Sequence, residues 1–409
     1  MKWGIDMPAG YLVVSVYSDT IANPISGATV RVLKDGKHTI TVTTDEDGKT
    51  SPITLNTVSE SYTEEEQKTV RPYETYDIEV EALGLTPTKI DGVQIFQNIT
   101  SNQNVYMRSI DEVSDQDVST IGPNTLWGDY PDTVSEEKSN EEIQPYILKK
   151  VVVPEQIIVH DGIPSNRSAP NYTVDFVDYI KNVASSEIYP TWPIETIKAN
   201  VLAIISFALS RIYTEWYQSR GYDFTITSTT TYDQKYTKDG TTFDTISAIV
   251  DDIFNNYIRR GYRLEPLLAH YKSDTTEPGY MSQWGSKYLG DQGYSALGIL
   301  RYYYGDNTDI FEADLSNEYP TSFSGELREG SCSQEVYILQ NQLNYIRGSY
   351  PGLPMIQNPS GLFDSQTTAT VRKFQSVFNL PITGVVDFGT WYKINYIFTA
   401  VEHLAESVY

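Results

Sequence analysis

Residues suited to metal and redox chemistry are scarce in this chain. Cys332 is the only cysteine among 409 residues, which excludes an intramolecular disulfide and a cysteine-based zinc cluster. The four histidines, His38, His160, His270 and His403, stand far apart without ligand spacing, so no metal site and no cofactor is expected. Basic residues are few: 30 Lys and Arg against 54 Asp and Glu, a formal net charge of -24. With no basic run to neutralise phosphates, nucleic acid is excluded as a partner and an anionic membrane is disfavoured. No run approaches the ~18 apolar residues that would suggest a membrane span. Residues Met1 to Asp6 lack the apolar stretch of a secretory signal.

Aromatic residues are abundant instead, with 32 tyrosines and six tryptophans. Such rings can pack on the apolar faces of sugars while their polar edges hydrogen-bond. Tyrosine is also a common strand former and core filler, so composition leaves both readings open.

Hydrophobic patterning divides the chain. Residues 1–110 alternate apolar and polar side chains in Tyr11–Val16 and Ala28–Val32, separated by the turn signals Asp35-Gly36 and Thr44 to Lys49. Further strands are expected at Tyr76–Val80 and Val93–Phe96, which together describe a small β-sandwich. Asp45 and Asp47 beside Gly48 read as a tight turn in preference to a calcium loop. Residues 111–145 concentrate acidic side chains and read as a solvated linker, interrupted by Trp127 and Tyr130.

Residues 146–325 mix strand and helix signals. Val151–Val153, Ile157–Val159 and Phe224–Thr227 read as short strands. Phe176, Val177, Ile180, Val183 and Ala184 recur at helical spacing, and Glu187 is the next position on that stripe. Pro193 suits the first turn of a second helix, whose many apolar positions from Ile194 to Ile212 mark it as a core helix. Ile246 to Ile258 reads as another. Within 326–409, Val336, Leu339, Gln340 and Leu343 define one amphipathic helix, and Val371, Phe374, Gln375 and Phe378 a second. The fold class expected is therefore a multidomain α+β chain: an N-terminal β-sandwich, a central mixed α/β domain of catalytic type and a C-terminal three-helix module.

Glu187 is the candidate for chemistry. A carboxyl that continues an apolar stripe faces partly inward, where desolvation raises its pKa, and an acid that keeps its proton near neutral pH can protonate a departing glycosidic oxygen. Read alone, a solvated glutamate at a helix end is the favoured account.

Three stretches resemble known families. Pro24, Gly27-Ala28, Thr44-Asp45 and Gly48, followed by Tyr76 to Gly84, are similar to the carboxypeptidase regulatory-like domain, which implies a spacer or docking unit. Gly361 to Asp364, Thr367, Leu380-Pro381, Gly384 to Asp387, Thr390 and Trp391 resemble the peptidoglycan-binding domain type 1, which implies wall binding. Residues Ala184 to Pro193, the helix after them, Asp233-Gln234-x-Tyr236, Met281-Ser282-Gln283-Trp284-Gly285 and Ile299 to Gly305 resemble the stage II sporulation protein D family of lytic transglycosylases. That resemblance implies cleavage of the N-acetylmuramic acid to N-acetylglucosamine linkage with Glu187 as general acid and base, without a second carboxylate. It implies substrate contacts from Ser282, Gln283, Trp284, Trp192 and Gln234. For Ser282 and Gln283 a role satisfying backbone groups is equally open, as is a core-packing role for Trp192. The departures are Ile205 and Ser206 where the family usually has arginine and threonine, a short stretch between Tyr271 and Met281 that lacks the usual Ser/Gly-rich insert and Gly-His-Gly, and Tyr280 where glycine is typical.

The expected partners are peptidoglycan glycan strands, together with spore- or wall-layer proteins, and the expected location is the cell wall or spore. The alternative is a catalytically inactive wall- or spore-layer scaffold that keeps the cleft for binding alone.

Overall fold

The structure, a computed structural model, describes residues 7–18, 23–110, 116–131, 148, 150–220, 222–261, 263, 265–316, 325–378, 380–387, 390, 391, 393, 394, 397 and 398. Met1 to Asp6, His403 and most of the acidic stretch 111–145 lie outside them. Contacts group the chain into two compact units, 1–132 with 175–207 and 228–313, and 133–174 with 208–227 and 314–409. Each unit takes pieces from more than one of the consecutive segments marked by the sequence pattern.

The alternating N-terminal residues form β1 (Ala9–Ser18), β2 (Thr29–Lys34), β3 (Lys37–Thr43), β4 (Ile53–Asn56), β5 (Glu74–Glu81), β6 (Thr88–Ile95), β7 (Thr100–Met107) and β8 (Asp117–Thr120). One sheet has the order β3-β2-β5-β6-β8, and β1 lies between β4 and β7 in the other. Because side chains alternate across a strand, Leu12, Val14 and Val16 of β1 point to the same side and meet Val30, Val32, Ile78 and Val80 of the facing sheet in one buried cluster. Each such side chain contributes roughly 2 kcal/mol by leaving water. Asp45 Oδ1 accepts the N–H groups of Asp47 and Lys49, each at 3.0 Å, so its carboxylate closes the turn before Gly48.

Beyond the sandwich come β9 (Val152–Pro154), β10 (Gln156–His160), β11 (Asn171–Asp175), α1 (Phe176–Glu187), α2 (Ile194–Tyr213), β12 (Ile226–Thr227), β13 (Thr242–Phe243), α3 (Asp244–Ile253), β14 (Asn256–Arg260), β15 (Tyr271–Lys272), β16 (Met281–Ser282), α4 (Gln283–Asp291), α5 (Ala296–Tyr304), β17 (Thr308–Glu312), β18 (Asp314–Ser316), α6 (Gln334–Ser349) and α7 (Ser365–Val377). β13 pairs antiparallel with β7, so the second sandwich sheet is completed by a strand over a hundred positions later.

The helix expected over Ile246 to Ile258 stops at Ile253. Tyr257 and Ile258 instead lie opposite Phe311 and Ile310 in the antiparallel β14–β17 pair. Strand pairing overrides helical spacing there, and the Ile258 N–H reaches Ser206 Oγ at 2.8 Å. α2 is long and apolar enough, at 20 residues and a mean hydropathy of 1.2, to cross a membrane by length and composition; 94% of that stretch is buried, as befits a core helix.

In the second unit β10 lies between β11 and the parallel β12, and β18 runs parallel to β9. The C-terminal region repeats one device. Gln340, on α6, accepts from Ser360 and Gly361 N–H at 2.9 and 3.0 Å and donates to Leu362 C=O and Thr367 Oγ1 at 2.8 and 2.9 Å. Gln375, on α7, accepts from Gly384 N–H at 2.8 Å and donates to Val385 C=O, Thr383 Oγ1 and Thr390 Oγ1. Each buried amide thus pins a Gly-x-x-Asp-x-x-Thr turn whose glycine has φ of +79° or +76°, a conformation that glycine adopts without steric cost. Asp364 and Asp387 then cap the helical residues after them by accepting Thr367 and Thr390 N–H at 2.8 Å. Helical residues at Thr390, Trp391, Lys393, Ile394, Ile397 and Phe398 add to the two helices, and their apolar members join Leu339, Leu343 and Phe374 in one core.

Gln375→Leu leaves the buried Gly384 N–H without its acceptor and takes a donor from the Val385 carbonyl and the buried Thr390 hydroxyl. It should lower the stability of this module by about 3 kcal/mol, read as lost hydrogen-exchange protection across residues 327–387.

Candidate active site

α1 begins where Asp175 Oδ1 accepts the Val177 N–H at 3.0 Å, and it buries Phe176, Ile180, Val183 and Ala184. Helical spacing brings Glu187, its last residue, onto that buried face, where it is 2% exposed. The end of a helix leaves carbonyls unpaired and carries partial negative charge. The chain following β8 supplies donors. Asn124 Nδ2 donates to Ser185 and Ile188 C=O at 3.2 Å each, and Thr125 N–H donates to Ser186 C=O at 2.9 Å. Thr125 Oγ1 and Gln283 Nε2 reach the carbonyl of Glu187 itself at 3.3 and 3.4 Å.

The Glu187 carboxyl has its own partners. Oε1 accepts the backbone N–H of Lys235 at 2.7 Å, and Oε2 accepts the hydroxyl of Tyr271 at 2.6 Å. Gln234 Nε2 donates to Tyr271 Oη at 3.0 Å and to Ile204 C=O at 3.2 Å, while Tyr179 Oη donates to Gln234 Oε1 at 3.0 Å. The Ile204 carbonyl fixes the orientation of the amide, since only its NH2 can face an acceptor. A directed chain therefore runs from Tyr179 through Gln234 and Tyr271 to Glu187. Burial pushes the Glu187 carboxyl up from the ordinary 4.5 to about 7, against the opposing pull of the Lys235 and Tyr271 hydrogen bonds. Burial and the adjacent carboxylate push the Tyr271 hydroxyl well above its usual range. A carboxyl so placed carries a proton near neutral pH and can release it, the property that a general acid and base needs.

Gln234 thus reaches Glu187 through one intervening hydroxyl, and Gln283 touches its carbonyl. Ser282 is the cap of α4: its Oγ accepts the Gly285 N–H at 2.9 Å and donates to Asp274 at 3.1 Å. Trp192 is buried, with its indole N–H donated to Thr63 C=O at 3.0 Å. Trp284 meets the edges of Trp192 and Tyr189 at 5.1 and 5.9 Å, and its buried indole N–H has no partner among the described residues. Ile205 is fully buried, and its side chain offers no polar anchor at that position. Tyr280 stacks on His270 at 4.9 Å.

Sequence reasoning did not single out Tyr271, Tyr179, Asn124 or Thr125. Lys235 acts through its backbone N–H, which side-chain identity does not report, although it lies within the Asp233-Gln234-x-Tyr236 element. Among the described residues no group of His, Cys, Asp and Glu could hold a metal ion.

Two family models match parts of the chain. Residues 167–254 match the Stage II sporulation protein model. Residues 332–394 match the model of a peptidoglycan binding domain. Peptidoglycan binding and a sporulation-linked role at the cell wall or spore are what these two matches support. No curated protein matches the chain significantly. Among solved structures, that of Klebsiella pneumoniae 5-hydroxyisourate hydrolase aligns with 14% identity over 24% of this chain and 89% of that one, at a TM-score of 0.16. The sporulation-protein match contains Tyr179, Glu187, Gln234 and Lys235. Tyr271 and the Ser282-Gln283-Trp284 run lie beyond its end.

The carboxyl can be tested in two ways. Below about pH 4.5 Glu187 is protonated in folded and unfolded chains alike; between about 4.5 and 7 only the folded chain keeps the proton. Its contribution to stability therefore falls as pH rises through that window, by ~1.4 kcal/mol per pH unit and ~3 kcal/mol in all. Urea unfolding of wild type and Glu187→Gln across pH 4–8 should show that component disappear in the variant. Tyr271→Phe deletes a donor that favours the carboxylate, so Glu187 should titrate higher still, as read by carboxyl carbon NMR.

Proposed function

We propose that this chain binds peptidoglycan and cleaves the muramic acid to glucosamine linkage of cell-wall or spore glycan by lytic transglycosylase-type chemistry. The observation that carries the reading is the Glu187 carboxyl, buried, raised to about 7 and held through Tyr271 and Gln234. Protonated Glu187 gives its proton to the glucosamine O4 as the bond from muramic acid C1 breaks. The muramic acid 6-hydroxyl closes on C1, and its proton returns to the carboxylate. A 1,6-anhydro end forms, water is not consumed, and the carboxyl finishes as it began. One residue serves both proton transfers, so no second carboxylate is required.

For a glycosidic oxygen to reach Oε2, the Tyr271 hydroxyl must turn aside, since both carboxyl oxygens already accept hydrogen bonds. That enclosure is the specific support for a second reading, a wall- or spore-layer binding protein without activity. The engagement of Ser282 as a helix cap and of the Trp192 N–H with Thr63 supports it too.

Wild type and Glu187→Gln incubated with purified glycan strands, with and without stem peptides, separate the two. Under the enzymatic reading, mass spectrometry finds 1,6-anhydromuramic ends with wild type and at least 100-fold fewer with the variant. Their absence from both samples, with peptidoglycan binding intact, would sink the enzymatic reading and leave the scaffold.

A further inference from the structure

We infer that the C-terminal module holds a neutral amino-sugar ring of the glycan strand in the cavity between the start of α6 and the Ser360-Gly361 turn. This inference rests on the peptidoglycan-binding reading above and adds the place and the part of the polymer bound.

The cavity, about 280 Å³, is lined by Cys332, Ser333, Gln334, Tyr337, Ser360 and Gly361. Its floor is preorganised. Gln340 spends both N–H donors and both bonds accepted by its oxygen on holding Ser360, Gly361, Leu362 and Thr367, so little ordering is left to oppose binding. The wall is aromatic: Tyr337 is 44% exposed, and Leu362 beside the turn is 46% exposed. An exposed ring next to hydroxyl and amide groups matches a pyranose, which has an apolar face and a polar rim. Ser333 Oγ and Ser360 Oγ accept backbone N–H groups at 3.4 and 3.3 Å, which leaves each hydroxyl its own proton to donate.

The twin turn sharpens the assignment. Three residues before each pinning glutamine, a side chain lies near the turn glycine. At the second turn this is Arg372, whose Nε would come within 2.5 Å of a Cβ on Gly384 and so covers it. At the first it is Tyr337, whose Cβ lies 3.6 Å from the corresponding position on Gly361, beyond the Ser333 carbonyl oxygen at 3.0 Å. The first turn thus has a neutral backbone carbonyl and a tyrosine beside it where the second has a cation over it. No charged side chain lines the open cavity. A stem peptide, with its carboxylates and amine, has no ionic partner there, and a neutral N-acetylglucosamine-type ring needs none.

The exposed thiol of Cys332, the chain's only cysteine, reports occupancy locally. Full-length protein is mixed with glycan strands freed of stem peptides, and both co-sedimentation and the rate of Cys332 modification by a maleimide are measured. Glycan should slow modification about tenfold in wild type and in Tyr337→Phe, and should give no protection in Tyr337→Ala; free stem peptide should give none in any of them. Strands that bind while Cys332 reacts at an unchanged rate, or equal protection in Tyr337→Ala, would overturn the inference and leave wall binding standing. Strands and intact peptidoglycan that both fail to bind wild type would overturn the two together. Hydrogen exchange at Gln340 and Gly361 confirms that Tyr337→Ala keeps the turn.

Discussion

Burying a carboxyl at the negative end of a helix sets the terms for the first unit. The free energy of an ionised Glu187 is raised by lost hydration and by the unpaired carbonyls of α1, and the surrounding chain answers both. Asn124 and Thr125 take the carbonyls, while Lys235 N–H and the Tyr271 hydroxyl take the carboxyl oxygens. These donors come from separate stretches of chain. Thr63, on the sandwich side, holds Trp192, and β13 extends the sandwich sheet. The β-sandwich and the helices that carry Glu187 therefore share one compact unit.

Burial outweighs the hydrogen bonds on Glu187, and the remainder determines its chemistry. Full desolvation with no donors would leave an acid that never ionises near neutrality; more donors would leave a carboxylate that never protonates. Two hydrogen bonds against complete burial put it near 7, where both proton transfers of the proposed reaction are feasible. Tyr271 is the adjustable partner, because its hydroxyl is itself held by Gln234.

The C-terminal module solves a related problem with neutral groups. Gln340 and Gln375 are buried without a charge to desolvate, and each satisfies its hydrogen-bonding groups within one turn. Such groups add rigidity rather than reactivity, as suits a surface built to hold a polymer. The difference between the two turns comes from single side chains, Tyr337 and Arg372, at equivalent places on α6 and α7.

Much of this was legible in the sequence because it depends on local periodicity. Alternation in Tyr11–Val16 and Ala28–Val32 marks sandwich strands, the stripe from Phe176 to Ala184 marks α1 and the inward side of Glu187, and the Gly-x-x-Asp-x-x-Thr segments mark capped turns. The matches to family models rest on the same local order. Contacts between distant residues were not legible. Tyr257 and Ile258 have helical spacing with Ile246, yet pairing with Phe311 and Ile310 makes them a strand. Residues 116–131 look like linker by composition, yet Asn124 and Leu126 are buried and Asn124 bonds the end of α1. The sequence by itself determined most element types, the absence of an intramolecular disulfide and the carboxyl on a buried stripe, since these depend on side-chain identity and spacing. Only the tertiary structure decided that Tyr271 and Lys235 N–H would meet that carboxyl and that Tyr337 would stand beside the Ser360-Gly361 turn, because desolvation and hydrogen bonding depend on which distant groups fill the space around a side chain.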